Sequence, residues 1–191
     1  NTYFYAPKED KSHRLNWREK YSCKWRKNFR DFTNHSKKKN INIIAGIAPG
    51  LDFNFKELHN VSKNIQNSDF DFLLKKCKQL LKDGATSIAL LLDDIPNNFK
   101  KKYGSNVSEG TCHGILANKL SKELKQNIFF VPRIYADELI KDDPFYLKDL
   151  GQALSSNTKI FYCGKNVIAK NFKNYKKFLL NEIIIWDNFY S

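Results

Sequence analysis

The sequence predicts an α/β fold, a parallel sheet alternating with helices, arranged as a partial TIM (β/α)8 barrel with its first and last elements missing. Three observations carry this. Continuous apolar runs of strand length alternate with amphipathic helical stretches, the pattern of a parallel sheet covered by helices. The first strand is followed by Ala6-Pro7-Lys8-Glu9-Asp10, where an open doubly wound sheet would carry a glycine-rich phosphate loop. Polar residues also cluster after nearly every strand, at Lys8, Asp52, Asp93-Asp94, Tyr135 and Asp187-Asn188, and barrel enzymes build their sites from such strand ends. A complete barrel takes about 250 residues. With 191 residues, the chain reads as a single, incomplete barrel domain spanning 1–191.

Each element has its own signal. Thr2 to Pro7 is a short aromatic-rich strand. Trp17 to Lys38 is a charged amphipathic helix, with Trp25, Phe29 and Phe32 at spacings of four and three. Ile41 to Ile47 reads as a buried strand that stops at Pro49-Gly50. Ser68 or Asp69 caps a helix whose apolar positions Phe70, Leu73, Leu74, Cys77, Leu80 and Leu81 share one face, and Gly84 stops it. Ser87 to Leu92 is a buried strand ending in Asp93-Asp94. Helices over Cys112 to Lys125, Tyr146 to Leu154 and Phe172 to Leu180 then alternate with strands over Asn127 to Val131, Lys159 to Tyr162 and Glu182 to Trp186.

Composition narrows the function classes. With 41% hydrophobic and 28% charged residues the chain is of globular type, and no stretch approaches the run of about 20 apolar residues needed to span a bilayer. No membrane partner is expected. The net charge of +13 is spread thinly, with Lys37-Lys38-Lys39 and Lys100-Lys101-Lys102 as short runs, so it reads as a solvated basic surface rather than a nucleic-acid site. Cys23, Cys77, Cys112 and Cys163 form no C-x-x-C pair and read as reduced thiols, two or three of them buried. His13, His35, His59 and His113 show no metal-ligand spacing either. No metal or cofactor is expected. The chain lacks Met and opens in strand-like sequence, which reads as a fragment.

Asp93-Asp94 is the sharpest chemical feature. In low-dielectric surroundings each of two adjacent carboxylates disfavours the ionised form of the other, so the pair is costly if merely structural. The structural alternative has Asp93 bonding the backbone and Asp94 in solvent, starting a turn with Pro96. Adjacent side chains on a strand point to opposite faces, so both reach one pocket only if the backbone turns at or just after Asp93. A divalent metal would need further ligands. Glycoside hydrolysis asks for two carboxyl groups, one of them protonated, and takes them from about 5 Å apart in the nucleophile arrangement. Consecutive carboxylates suit substrate assistance instead, in which one steers the substrate's own acetamide.

Thr2-Tyr3-Phe4-Tyr5-Ala6-Pro7-Lys8-Glu9-Asp10, with His13-Arg14 and Trp17-Arg18-Glu19, resembles the second-strand signature of the glycoside hydrolase family 84 barrel, the O-GlcNAcase and bacterial β-N-acetylglucosaminidase family. The similarity continues in order through Ala48-Pro49-Gly50-Leu51-Asp52, Leu91-Leu92-Asp93-Asp94-Ile95 and His113 to Asn118. Pro132 to Tyr135, Gly164 with Val167, and Ile185-Trp186-Asp187-Asn188 complete it.

This resemblance implies a retaining β-N-acetylglucosaminidase, acting without a cofactor on a protein or glycan that bears N-acetylglucosamine, through an oxazoline intermediate. It puts Asp93 on the acetamide N–H and makes Asp94 the general acid and then the base. It gives Lys8 a sugar-hydroxyl contact, Tyr135 a place in the acetamide pocket, Asn188 a further substrate contact and Trp186 a pocket wall. Asp52 and Asp187 receive no site role, and His13, Arg14 and His113 read as structural. Two stretches depart from the family: its Trp-Thr-Gly is Tyr162-Cys163-Gly164 here, and its Pro-Thr-Glu-Tyr is Pro132-Arg133-Ile134-Tyr135. The alternative is an inactive carbohydrate- or protein-binding barrel, against which the intact Asp93-Asp94 argues. The family's first strand would precede Asn1 and a further sugar-binding Asp would follow Ser191. Part of the site is therefore expected outside the chain.

Overall fold

Parallel strands covered by helices on both faces need no polar alternation, and the middle strands of this chain have none. A computed structural model describes residues 1–59, 68–164, 168 and 171–186. The chain divides into two compact units, Asn1–Leu91 with Glu123–Gln126, and Leu92–Lys122 with Asn127–Ser191.

In the first unit β1 (Thr2–Tyr5), β2 (Asn42–Ile47) and β3 (Ser87–Leu91) are parallel neighbours in sequence order. Tyr5 pairs with Ala45 and Ile47 with Leu90. Ile43 to Ile47 and Ile88 to Leu91 are buried without a break. A short α1 (Lys11–Arg14) is capped by Asp10, which accepts the Ser12 N–H at 2.8 Å.

The main helix, α2 (Cys23–Lys38), begins six residues later than the sequence pattern suggests, because Ser22 caps it through the Trp25 N–H. Trp17 lies ahead of it in a turn, fully buried, with its indole N–H donated to Asp52 at 2.7 Å. The apolar spacing there marks burial, not helix. The expected stripe is real: Trp25 stacks between Tyr21 (3.6 Å) and Phe29 (4.9 Å), and the Tyr5 ring of β1 lies 5.3 Å from Phe29.

Next comes α3 (Asp69–Lys82), where Ser68 accepts the Asp71 N–H. Gly84 follows with φ +105°, and a Cβ there would lie 2.3 Å from Thr33 Oγ1. That close approach lets Arg26 and Arg30 of α2 reach the buried Asp83 at 2.6 and 2.9 Å.

The second unit holds α4 (Phe99–Tyr103) and most of α5 (Glu109–Leu124), which starts three residues before the expected Cys112. β4 (Phe129–Val131), α6 (Tyr146–Ala153), β5 (Lys159–Tyr162), α7 (Lys173–Phe178) and β6 (Ile183–Ile185) follow. Its strands are again parallel neighbours in sequence order, with Phe130 opposite Ile160 and Tyr162 opposite Ile185. In neither unit does the strand order reverse, as it would at the switch point of a doubly wound sheet.

Candidate active site

The second unit gathers the residues that follow successive strands. Leu92, one residue past β3, donates its N–H to Val131 O at 2.9 Å. Beyond β4, Tyr135 O accepts the Cys163 N–H at 2.7 Å, and beyond β6 the Trp186 N–H is donated to Tyr162 O at 3.1 Å. Asp93, Tyr135, Cys163 and Trp186 therefore sit just past strand ends within one unit.

Asp93 is 7% exposed, whereas Asp94 is exposed and has a left-handed φ of +52°. Only Asn, Asp and Gly adopt that conformation at modest cost. The backbone thus turns at the residue where the sequence required a turn. Tyr135 is half-buried, and so is Trp186, whose ring meets Phe161 edge-on at 5.8 Å. Lys8 belongs to the first unit, half-buried in the turn after β1. Asn188, Asp187 and Val167 lie outside the described residues.

Two residues before Tyr135, Arg133 joins a buried polar cluster that the sequence pattern did not single out. Arg133 is 6% exposed, and its Nε lies 2.9 Å from both carboxylate oxygens of Glu109 in α5. Its terminal nitrogen approaches Glu109 at 2.7 Å and Asp143 at 3.5 Å. The Arg133 main-chain N–H is donated to the Tyr146 hydroxyl of α6 at 3.1 Å, which also lies 2.8 Å from His113 Nδ1. Burial pushes the Glu109 carboxyl above its ordinary value, although Arg133 pulls it back. Burial, with the Arg133 charge, lowers His113 to about 3 and keeps it neutral. The only local hint was the i, i+4 placement of Glu109 and His113 on one helix.

The altered Tyr162-Cys163 stretch is packed. The fully buried Tyr162 donates its hydroxyl to Asp137 at 2.8 Å, and Asp137 also accepts the Asn174 N–H at 3.1 Å. Burial and Asp137 together raise the Tyr162 phenol well above its ordinary value. Asp52, in the first unit, holds Trp17 and Arg18. All four cysteines are free, three of them buried. Among the described residues no group of three or more His, Cys, Asp or Glu could hold a metal ion, and no helix is long and apolar enough to cross a membrane.

A family model described as NAGidase, beta-N-acetylglucosaminidase, matches residues 1–191. The chain belongs to this family. Protein O-GlcNAcase of Rattus norvegicus and of Mus musculus are each 28% identical to it over 205 residues, covering all of this chain and 21% of the relative. The chain thus spans about a fifth of the length of these curated relatives. A mutant of Thermobaculum terrenum O-GlcNAc hydrolase superposes with a TM-score of 0.79 at 26% identity, over 99% of this chain and 41% of that one. The NAGidase family and these relatives are glycoside hydrolases, and the fold shared with them is a partial (β/α)8 barrel.

Proposed function

We propose that the protein carrying this chain is a retaining β-N-acetylglucosaminidase that works by substrate assistance, with residues 1–191 as part of its catalytic barrel. The observation that carries the reading is the backbone at Asp93-Asp94. A buried carboxyl and an exposed one, on consecutive residues separated by a left-handed turn, offer two environments within one step of the chain.

In the first half-reaction the acetamido carbonyl oxygen of the substrate attacks the anomeric carbon as the bond to the leaving oxygen breaks. Asp93 holds the acetamide N–H and stabilises the positive charge that develops on it. Asp94 donates a proton to the departing oxygen. Water then attacks the oxazoline at the same carbon while Asp94 takes its proton, and two inversions leave the configuration retained. Lys8 and Asn188 contact the sugar, Tyr135 lines the acetamide pocket and Trp186 walls it. The curated relatives are named protein O-GlcNAcases, which supports a sugar linked to Ser or Thr of a protein as substrate.

Leaving groups separate the two acids in the full-length protein. Asp94→Asn should cripple cleavage of a Ser- or Thr-linked sugar, whose alkoxide leaves badly, and spare more of the activity on an activated aryl glycoside. Asp93→Asn should slow both, because the acetamide must be held whatever departs. General acid catalysis is worth about 10²–10⁴-fold, enough to resolve the two profiles. Equal proportional losses on both substrates, or an inverted product, would refute the assignment.

A further inference from the structure

We infer that Arg133, clamped on Glu109, is a positioning residue for Tyr135 and so sets how strictly the enzyme selects the N-acyl group of its substrate. The inference rests on the function proposed above.

Residues 132–136 belong to no strand or helix, so no ladder of backbone hydrogen bonds fixes them. Hydrogen bonds toward both ends hold them instead. At one end the Arg133 side chain grips Glu109 of α5, and its main-chain N–H reaches the Tyr146 hydroxyl of α6. At the other, Tyr135 O takes the N–H of Cys163, just past β5. Pro132 fixes its own φ immediately before the first clamp. Arg133 thereby ties the segment to both covering helices while Cys163 ties it to the sheet.

The residue type matters. A planar guanidinium facing both oxygens of a carboxylate defines an orientation, whereas an ammonium is a point charge that does not. Here the carboxylate is that of Glu109 on α5. Displacing a substrate-positioning group by about 1 Å costs on the order of 10²-fold in rate. Looseness at Arg133 would therefore reach Tyr135 although Arg133 itself is buried.

Stability and positioning are separable. Removing one member of a buried ion pair strands the other charge, whereas replacing both by apolar groups of similar volume is often neutral. In the full-length protein, Arg133→Met should lower the melting temperature sharply, and Arg133→Met with Glu109→Leu should restore most of it, since Asp143 keeps Lys100 at 4.0 Å when Arg133 is lost. The deciding measurement is the ratio of kcat/KM for an aryl N-acetylglucosaminide to that for its N-propionyl analogue. An added methylene in a tight pocket is discriminated by roughly 10–200-fold, so the double variant should lose about tenfold or more of that ratio while folding normally.

A double variant with wild-type melting temperature and wild-type ratio would overturn the inference and leave the pair as core packing alone. If the double variant does not fold, Arg133→Lys decides by the same ratio: a drop supports the inference, an unchanged ratio overturns it. A folded wild-type protein inactive on both glycosides would instead sink the proposed function, and this inference with it.

Discussion

At Asp94 a glycine would serve the backbone better. A left-handed conformation costs an ordinary L-residue about 1–2 kcal/mol, less for Asp and almost nothing for Gly. The proposed acid therefore occupies a position that local stability would assign to another residue, as expected where a side chain is kept for chemistry. Asp94→Gly should leave resistance to denaturant unchanged or raised by about 0.5–1 kcal/mol, and should abolish turnover of O-linked substrate. A loss of more than about 2 kcal/mol would show that the Asp94 side chain holds the turn, since losses of that size come from broken structural interactions.

Between elements, α2 meets the turn after α3 closely in the first unit. Gly84 permits it: its φ is +105°, and an added Cβ would collide with Thr33 Oγ1, which is itself donated to Asp83 O at 2.8 Å. On the same seam Asp83 is held by Arg26 and Arg30. Burial alone would push its carboxyl up, but the two guanidinium groups outweigh burial and bring it below the ordinary carboxylate value. Gly84→Ala should therefore cost about 1–3 kcal/mol, from a strained backbone and an overfilled seam together. Urea unfolding would measure it. An alanine variant as stable as the parent would mean that the helices can slide apart freely.

On the scale of the whole molecule, each unit buries a neutral histidine among its described residues. His13 is lowered to about 4 and His113 to about 3, in both cases chiefly by burial, against an ordinary value of 6.5. Between 6.5 and those folded values the unfolded chain takes up protons that the folded chain refuses. This contribution to stability is fully present above pH 6.5 and is lost progressively as the pH falls through the window. Unfolding midpoints in urea should drop from pH 7 to pH 4.5, and His113→Gln should flatten that dependence. A variant with an unchanged pH slope would show that other groups drive acid unfolding.

The strands were legible because burial on both faces writes itself into a sequence as unbroken apolar runs. Ile43 to Ile47, Ile88 to Leu91 and Lys159 to Tyr162 fall where the pattern put them. Asp93-Asp94 stood out for the same reason, as charge directly after such a run. Short pieces were not legible: α1 and α4 have four and five residues, too few for a helical period to repeat. The start of α2 was misread because Trp17 is buried by a contact with Asp52, 35 residues away. The Arg133–Glu109 clamp joins residues 24 apart on different elements, and nothing local marks them as partners. Sequence alone determined the alternation of strands and helices, the apolar faces and the carboxylate pair, because these depend on each residue's own affinity for water and on its near neighbours. Tertiary structure alone decided how the segment that carries Tyr135 is held, because that arises from which distant side chains meet once the helices cover the strands.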